Sequence, residues 1–258
     1  MEVITNYVRL DTSNQLLMMY REIASNLAQS VTVDNPSQSR YTAFELPIVE
    51  LVRDDKYISK NLVLINLNAS ILEGYLRAVI SDIVHYDRNA LGQHWTQNAA
   101  SPVGHSLEKA YRNMRTFIDE IENKGGYTNL KSQYKSYLEI DLNTVSTSQT
   151  KHDIDALFLL RNIAAHGTAL VAPTQAMPDN QKEYYPYKWQ SQLKALSVLT
   201  NREFGCSVHE ALRHPVFASY FMSKTQELVR ALNTDNRISG VQEELFNNLN
   251  TYNFGFVA

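Results

Sequence analysis

Arg161, Asn162 and His166 are the residues of this chain whose types and spacing can do chemistry. An imidazole titrates near neutrality, so His166 can take the proton from a ribose 2′-hydroxyl or give one to a leaving 5′-oxygen. A guanidinium grips phosphate through two parallel N–H bonds, so Arg161 can bind the anion and stabilise the charge that builds on it. Asn162 and His166 lie four apart and share a helix face, whereas Arg161 and His166 lie five apart, about 140° round the axis. The long stem of Arg161 makes up the difference. Ala164 and Ala165 leave room beside the imidazole for a substrate or a backbone. One histidine cannot be base and acid in the same step, but two copies facing across a symmetric dimer can. The chemistry therefore predicts metal-free RNA cleavage by a homodimer with both motifs lining one cleft. The opposing reading is a solvated arginine and a histidine that merely complements a helix C-terminus.

The element that must position these residues is the stretch 153–167, DIDALFLLRNIAAHG. Thr150 and Asp153 form a variant capping box with Asp at the third position. Ile154, Leu157, Phe158 and Leu160 recur at helical spacing and predict a buried stripe. Gly167 suits the left-handed residue just past a helix end. A helix of about four turns follows, with the reactive side chains in its last half.

Around it the chain reads as helical scaffold. A capping box at Thr12 and Gln15 predicts a helix over 13–29, with Leu16, Tyr20, Ile23 and Leu27 inward. Residues 31–33 and 41–46 are candidate short strands, and 47–54 a short helix. From 59 to about 87 apolar or small residues fall at 62, 65, 69, 72, 76, 79 and 83, a heptad-like seam. Residues 89–105, with His94, Trp95, Pro102 and His105, read as a loop. The two histidines there lack a third ligand at metal-binding spacing. Helices are expected at 107–123 and 128–138. In 168–186 prolines break the chain repeatedly. Its end and the residues just after it carry Lys182, Tyr184, Tyr185, Tyr187, Lys188 and Trp189, a mixture able to stack bases and hold phosphates, or simply to anchor a loop. Further helices are expected at 189–200, from a capping box at Ser207–Glu210, from Pro215 at a first helical position, and from Ser239 with Gln242 to about 250.

The hexapeptide RNIAAH at 161–166 resembles the R-N-x-x-x-H form of the arginine–histidine motif of HEPN domains, and Ala165-His166-Gly167 matches that family's frequent ending. Many members carry Lys and Phe at set distances before the arginine, where this chain has Asp153 and Leu157. The resemblance implies an all-α helical bundle, usually dimeric. It implies a metal-independent endoribonuclease with Arg161 and His166 as catalytic pair and Asn162 in support. It implies a place in toxin–antitoxin or antiviral defence, with RNA as substrate and a cognate antitoxin or defence-system protein as a further partner. Because such domains carry polar residues on a facing helix, Glu73 is a candidate support for Arg161. Its ordinary reading is a surface pair with Arg77 one turn on. Some HEPN domains bind without cutting, so the alternative is a non-catalytic module that holds a protein partner or a nucleotide. A third reading is a helical scaffold in which His166 only caps its helix.

Of the 258 residues, 44% are hydrophobic and 20% charged, ordinary values for a soluble globule. The net charge of −3 argues against an extended basic nucleic-acid surface but leaves room for a small cationic cleft. One cysteine, Cys206, forms no intrachain disulfide and reads as a packed thiol. No basic, apolar leader opens the sequence, and no apolar run approaches a membrane span. The expectation is a cytoplasmic protein that needs no cofactor or metal. It is read as one HEPN-like domain, 1–258, with an extension over 1–55, core helices over 56–170 and C-terminal helices over 171–258. Lys182 and Lys188 are the candidate substrate-binding cations.

Overall fold

The computed structural model describes residues 56–166, 170 and 193–251, together with 17, 20–24 and the strand backbone of 38–41 and 48–51. Among the described residues the fold is all-α apart from one small hairpin. The helices are α1 (Lys56–Asn98), α2 (Pro102–Asn123), α3 (Tyr127–Tyr137), α4 (Ser148–His166), α5 (Lys194–Phe204), α6 (Val208–Arg213), α7 (Phe217–Leu232) and α8 (Glu243–Thr251). β1 (Gln38–Tyr41) and β2 (Ile48–Leu51) pair antiparallel, with Gln38 opposite Leu51 and Tyr41 opposite Ile48. Of the helix expected over 47–54, the described residues 48–51 form a strand instead, as β-branched Ile48 and Val49 favour once a partner strand is present. The strand expected at 31–33 lies outside the described residues.

α1 is the axis, in contact with α2, α3, α4, α6 and α7. Five of its seam positions, Ile65, Ala69, Leu72, Leu76 and Val79, are fully buried. The buried surface is wider than the seam, because Leu64, Ile71, Tyr75, Ile80 and Val84 are buried as well. A helix clad on several sides needs apolar residues on several faces. Each fully buried Leu or Ile contributes about 1.5–3 kcal/mol of transfer free energy. An 18-residue stretch of α1 has a mean hydropathy of 1.3, so the helix has the length and composition to cross a bilayer, a correction to the expectation that no such run exists. Of that stretch, 61% is buried inside the bundle, as in a central core helix.

Residues 89–98 belong to α1, so the loop expected over 89–105 shrinks to the link 99–101. Ser101 caps α2 by accepting from the Gly104 amide, and Pro102 follows in the first turn. A Cβ on Gly104 would lie 2.4 Å from the Asn98 carbonyl oxygen, so only glycine lets the two helices turn this tightly.

The flanking segments join the same core. Leu17, Tyr20 and Ala24 are buried in it, and the Tyr20 hydroxyl donates to the Ala218 carbonyl at 3.3 Å. Asn61 on α1 donates to the Leu212 carbonyl at 2.7 Å, and Thr225 on α7 donates to Asn68 at 2.9 Å. These polar contacts fix the register of α6 and α7 on α1. The capping box at Ser207 and Glu210 forms as expected. α7 begins at Phe217 rather than Pro215, and α8 at Glu243 rather than at Ser239. Residues 239–242 form a turn instead, with Gln242 at φ 55° tied to Asp82.

Candidate active site

α4 starts at Ser148, earlier than the sequence pattern places it. Thr147, not Thr150, caps it, accepting from the Thr150 amide at 3.1 Å. Thr150 is fully buried and bonds to Glu227. Asp153 is fully buried too and is no cap. Its carboxylate accepts from Gln149 at 2.8 Å, from Arg202 on α5 at 3.0 Å and from the Tyr220 hydroxyl on α7 at 2.8 Å. Burial and this carboxylate push the Tyr220 hydroxyl well above the ordinary tyrosine range. One buried charge thus ties α4 to α5 and α7, and its partners satisfy it.

Ile154, Leu157, Phe158 and Leu160 are buried as the stripe predicts, and Ile163 joins them. That face fixes which way the other one points. Asn162, Ala165 and His166 are exposed, and Arg161 is partly covered. Arg161 donates through Nη2 to Glu73 Oε2 at 3.0 Å and through Nη1 to Asn162 Oδ1 at 3.1 Å. Glu73 therefore reaches across to α4 rather than pairing with Arg77, and the surface-pair reading of Glu73 gives way to the interhelical one. The helix phase explains it. Glu73 is only 9% exposed, on the side of α1 that meets α4. Two bonds hold the guanidinium in place, and most of its five N–H donors stay available for an anion.

The His166 side chain makes no hydrogen bond or ion pair among the described residues and stands exposed at the end of α4. The structure thus brings Arg161, Asn162 and Glu73 together and leaves His166 on the same helix end, open to a substrate or a second subunit. Lys182 and Lys188, with the aromatics around them, lie outside the described residues.

A pocket of about 330 Å³ adjoins Arg161. Glu73, Arg161 and Asn162 form one wall, and the turn 125–129 with Lys131 forms another. Tyr127 and Phe158 stack beneath it with ring centroids 4.3 Å apart. Gly126 sits at φ 100°, a conformation that favours glycine, and opens α3 without a side-chain cap. The helices expected at 107–123 and 128–138 leave Gly125-Gly126 in the link between them. Two glycines followed at once by a helix without a capping residue were the signal for an open N-terminus. Cys206 packs against the core, where burial and nearby Glu210 push its thiol up, away from a nucleophilic thiolate. Among the described residues no three His, Cys, Asp or Glu side chains converge as a metal site. Compared with family models, curated proteins and solved structures, the chain gives no match in any of the three.

Proposed function

We propose that this chain is a metal-independent endoribonuclease of HEPN type that acts as a homodimer in the cytoplasm. The observation that carries the reading is the Glu73–Arg161–Asn162 cluster on the helix end that also exposes His166. Arg161 binds the scissile phosphate with its remaining N–H groups. One His166 takes the proton of the ribose 2′-hydroxyl as the 2′-oxygen bonds to phosphorus. The second subunit's copy of that imidazole, protonated, donates to the 5′-oxygen as the P–O5′ bond breaks. The products are a 2′,3′-cyclic phosphate and a 5′-hydroxyl. A nuclease of this kind needs restraint, and a cognate antitoxin or other defence component is the partner the same reading implies.

The test is the full chain on mixed single-stranded RNA in excess EDTA. Cyclic-phosphate ends that appear with wild type and vanish in both Arg161→Ala and His166→Ala support the proposal. Unchanged cutting in those variants refutes it. A second reading, a non-catalytic module that binds a partner protein or nucleotide, draws on the net charge of −3 and on the pairing of Arg161 with a carboxylate. RNA or nucleotide bound without turnover is its signature.

A further inference from the structure

A larger concavity shares no lining residue with the pocket beside Arg161. It forms where the middle of α1 meets the chain just past α3 and the turn between α7 and α8, and it encloses about 610 Å³. That lies inside the range of roughly 300–1,000 Å³ usual for ligand pockets. Ile83, Leu138 and Val241 line it with apolar surface. Tyr86 lines it too and is 75% exposed, the most exposed of the large hydrophobic residues described. An aromatic ring left this open gains by burial against a partner, and its face attracts a cation.

The charge on the walls is one-sided. Asp82, Asp87 and Glu139 line the concavity against one cation, Arg237. The fork of Arg237 is already engaged: Nε and Nη2 donate to the Asp235 carboxylate at 2.9 and 2.7 Å, and Nη1 donates to the Leu138 carbonyl. Asp87 accepts from the Tyr137 hydroxyl, a neutral donor, at 2.9 Å. Neither Asp87 nor Glu139 makes an ion pair among the described residues. The carboxylates do not converge as a metal site, so they suit an extended organic cation. Two left-handed residues shape the wall: Glu139 at φ 56°, and Gln242 at φ 55°, whose amide donates to Asp82. A surface set by fixed backbone needs little reordering when a partner arrives.

We propose that this concavity docks a basic segment of a partner protein. The stem of an arginine or lysine lies along Ile83, Leu138 and Val241, its charge meets Asp87 and Glu139, and Tyr86 packs over it. Charge complementarity selects this occupant, since the same carboxylates repel a nucleic acid or an acidic peptide. Neither Arg161 nor His166 takes part, so a failed nuclease assay leaves this surface standing.

The test is fluorescence anisotropy of a short labelled peptide of alternating leucine and arginine, titrated with the full chain. Its control is the same peptide with citrulline, a neutral isostere, in place of arginine. The arginine peptide binds about tenfold more tightly than the citrulline one. Tyr86→Ala removes only an exposed ring, and Asp87→Asn combined with Glu139→Gln removes two charges while keeping an acceptor for Tyr137. Each set lowers affinity for the arginine peptide about tenfold. Thermal melts verify the fold, and should one set melt early, the other carries the comparison. Glu108→Gln, on α2 and outside the concavity, leaves affinity within about twofold, as expected for a charge at a distance. Equal binding of the two peptides overturns the proposal, as does equal binding by wild type and both sets of variants. A loss in Glu108→Gln as large as in the paired variant also overturns it, because net charge alone then explains the attraction. Arginine amide that binds as tightly as the peptide gives the site to a small organic cation. A dimer that Tyr86→Ala dissociates in sedimentation gives it to a second copy of the chain. Either result refutes a partner segment.

Discussion

In the proposed reaction the Arg161 guanidinium binds a phosphate while it is already paired with Glu73. In that reaction the pair acts as a positioning device, with Glu73 holding one N–H of the fork and Asn162 another. Removing the carboxylate lets the arginine swing without removing its charge. Glu73→Ala is expected to lower kcat/KM about tenfold, equivalent to ~1.4 kcal/mol of transition-state stabilisation, mostly in kcat. Steady-state kinetics on an RNA oligonucleotide measure it, and Glu73→Gln should fall between the two. Away from the site, burial and nearby Arg213 hold the His209 imidazole below its ordinary value of 6.5, with Glu210 opposing. The unfolded chain takes up that proton first as the pH falls. The stabilising contribution of neutral His209 is therefore complete above 6.5 and drains away as the pH drops from 6.5 towards the folded value. Urea midpoints of wild type between pH 7 and about 5 should fall more steeply than those of His209→Leu.

At the scale of elements, α4 is held by its apolar stripe on one side and by the Asp153 carboxylate on another. Asp153→Ala leaves Arg202 and Tyr220 facing each other without their acceptor. It is expected to cost about 3 kcal/mol, read from chemical denaturation, and to loosen the seat of Arg161 as well. Gly104→Ala forces a methyl group into the Asn98 carbonyl and should cost about 1–3 kcal/mol, with a lowered melting temperature. The stripe on α4 and the seam on α1 were legible from periodicity, because each buries a consistent face. The far end of α1 was not. Beyond about residue 85 it leaves the core and is exposed on most faces, so its polar composition imitates a loop. The cap of α4 was misread because Thr150 and Asp153 have capping-box spacing, although the core has claimed both side chains. The Glu73–Arg161 pair spans 88 positions and depends on how α1 and α4 pack, which no local pattern encodes.

For the whole molecule, the proposal stands or falls on symmetry. Each chain supplies one His166, and cleavage with separate acid and base needs two imidazoles at one phosphodiester. The acidic chain, with its net charge of −3, lacks the basic excess of a protein that binds long nucleic acid by charge alone. Under the proposed function its grip on RNA is therefore expected to be local and confined to two facing helix ends. The most direct measurement is pulsed dipolar spectroscopy between spin labels on the exposed position 165, as Ala165→Cys in a Cys206→Ser background. The account predicts one short, narrow inter-subunit distance, with the two ends of α4 apposed. No dipolar coupling, or a separation approaching the roughly 65 Å length of α1, would contradict it.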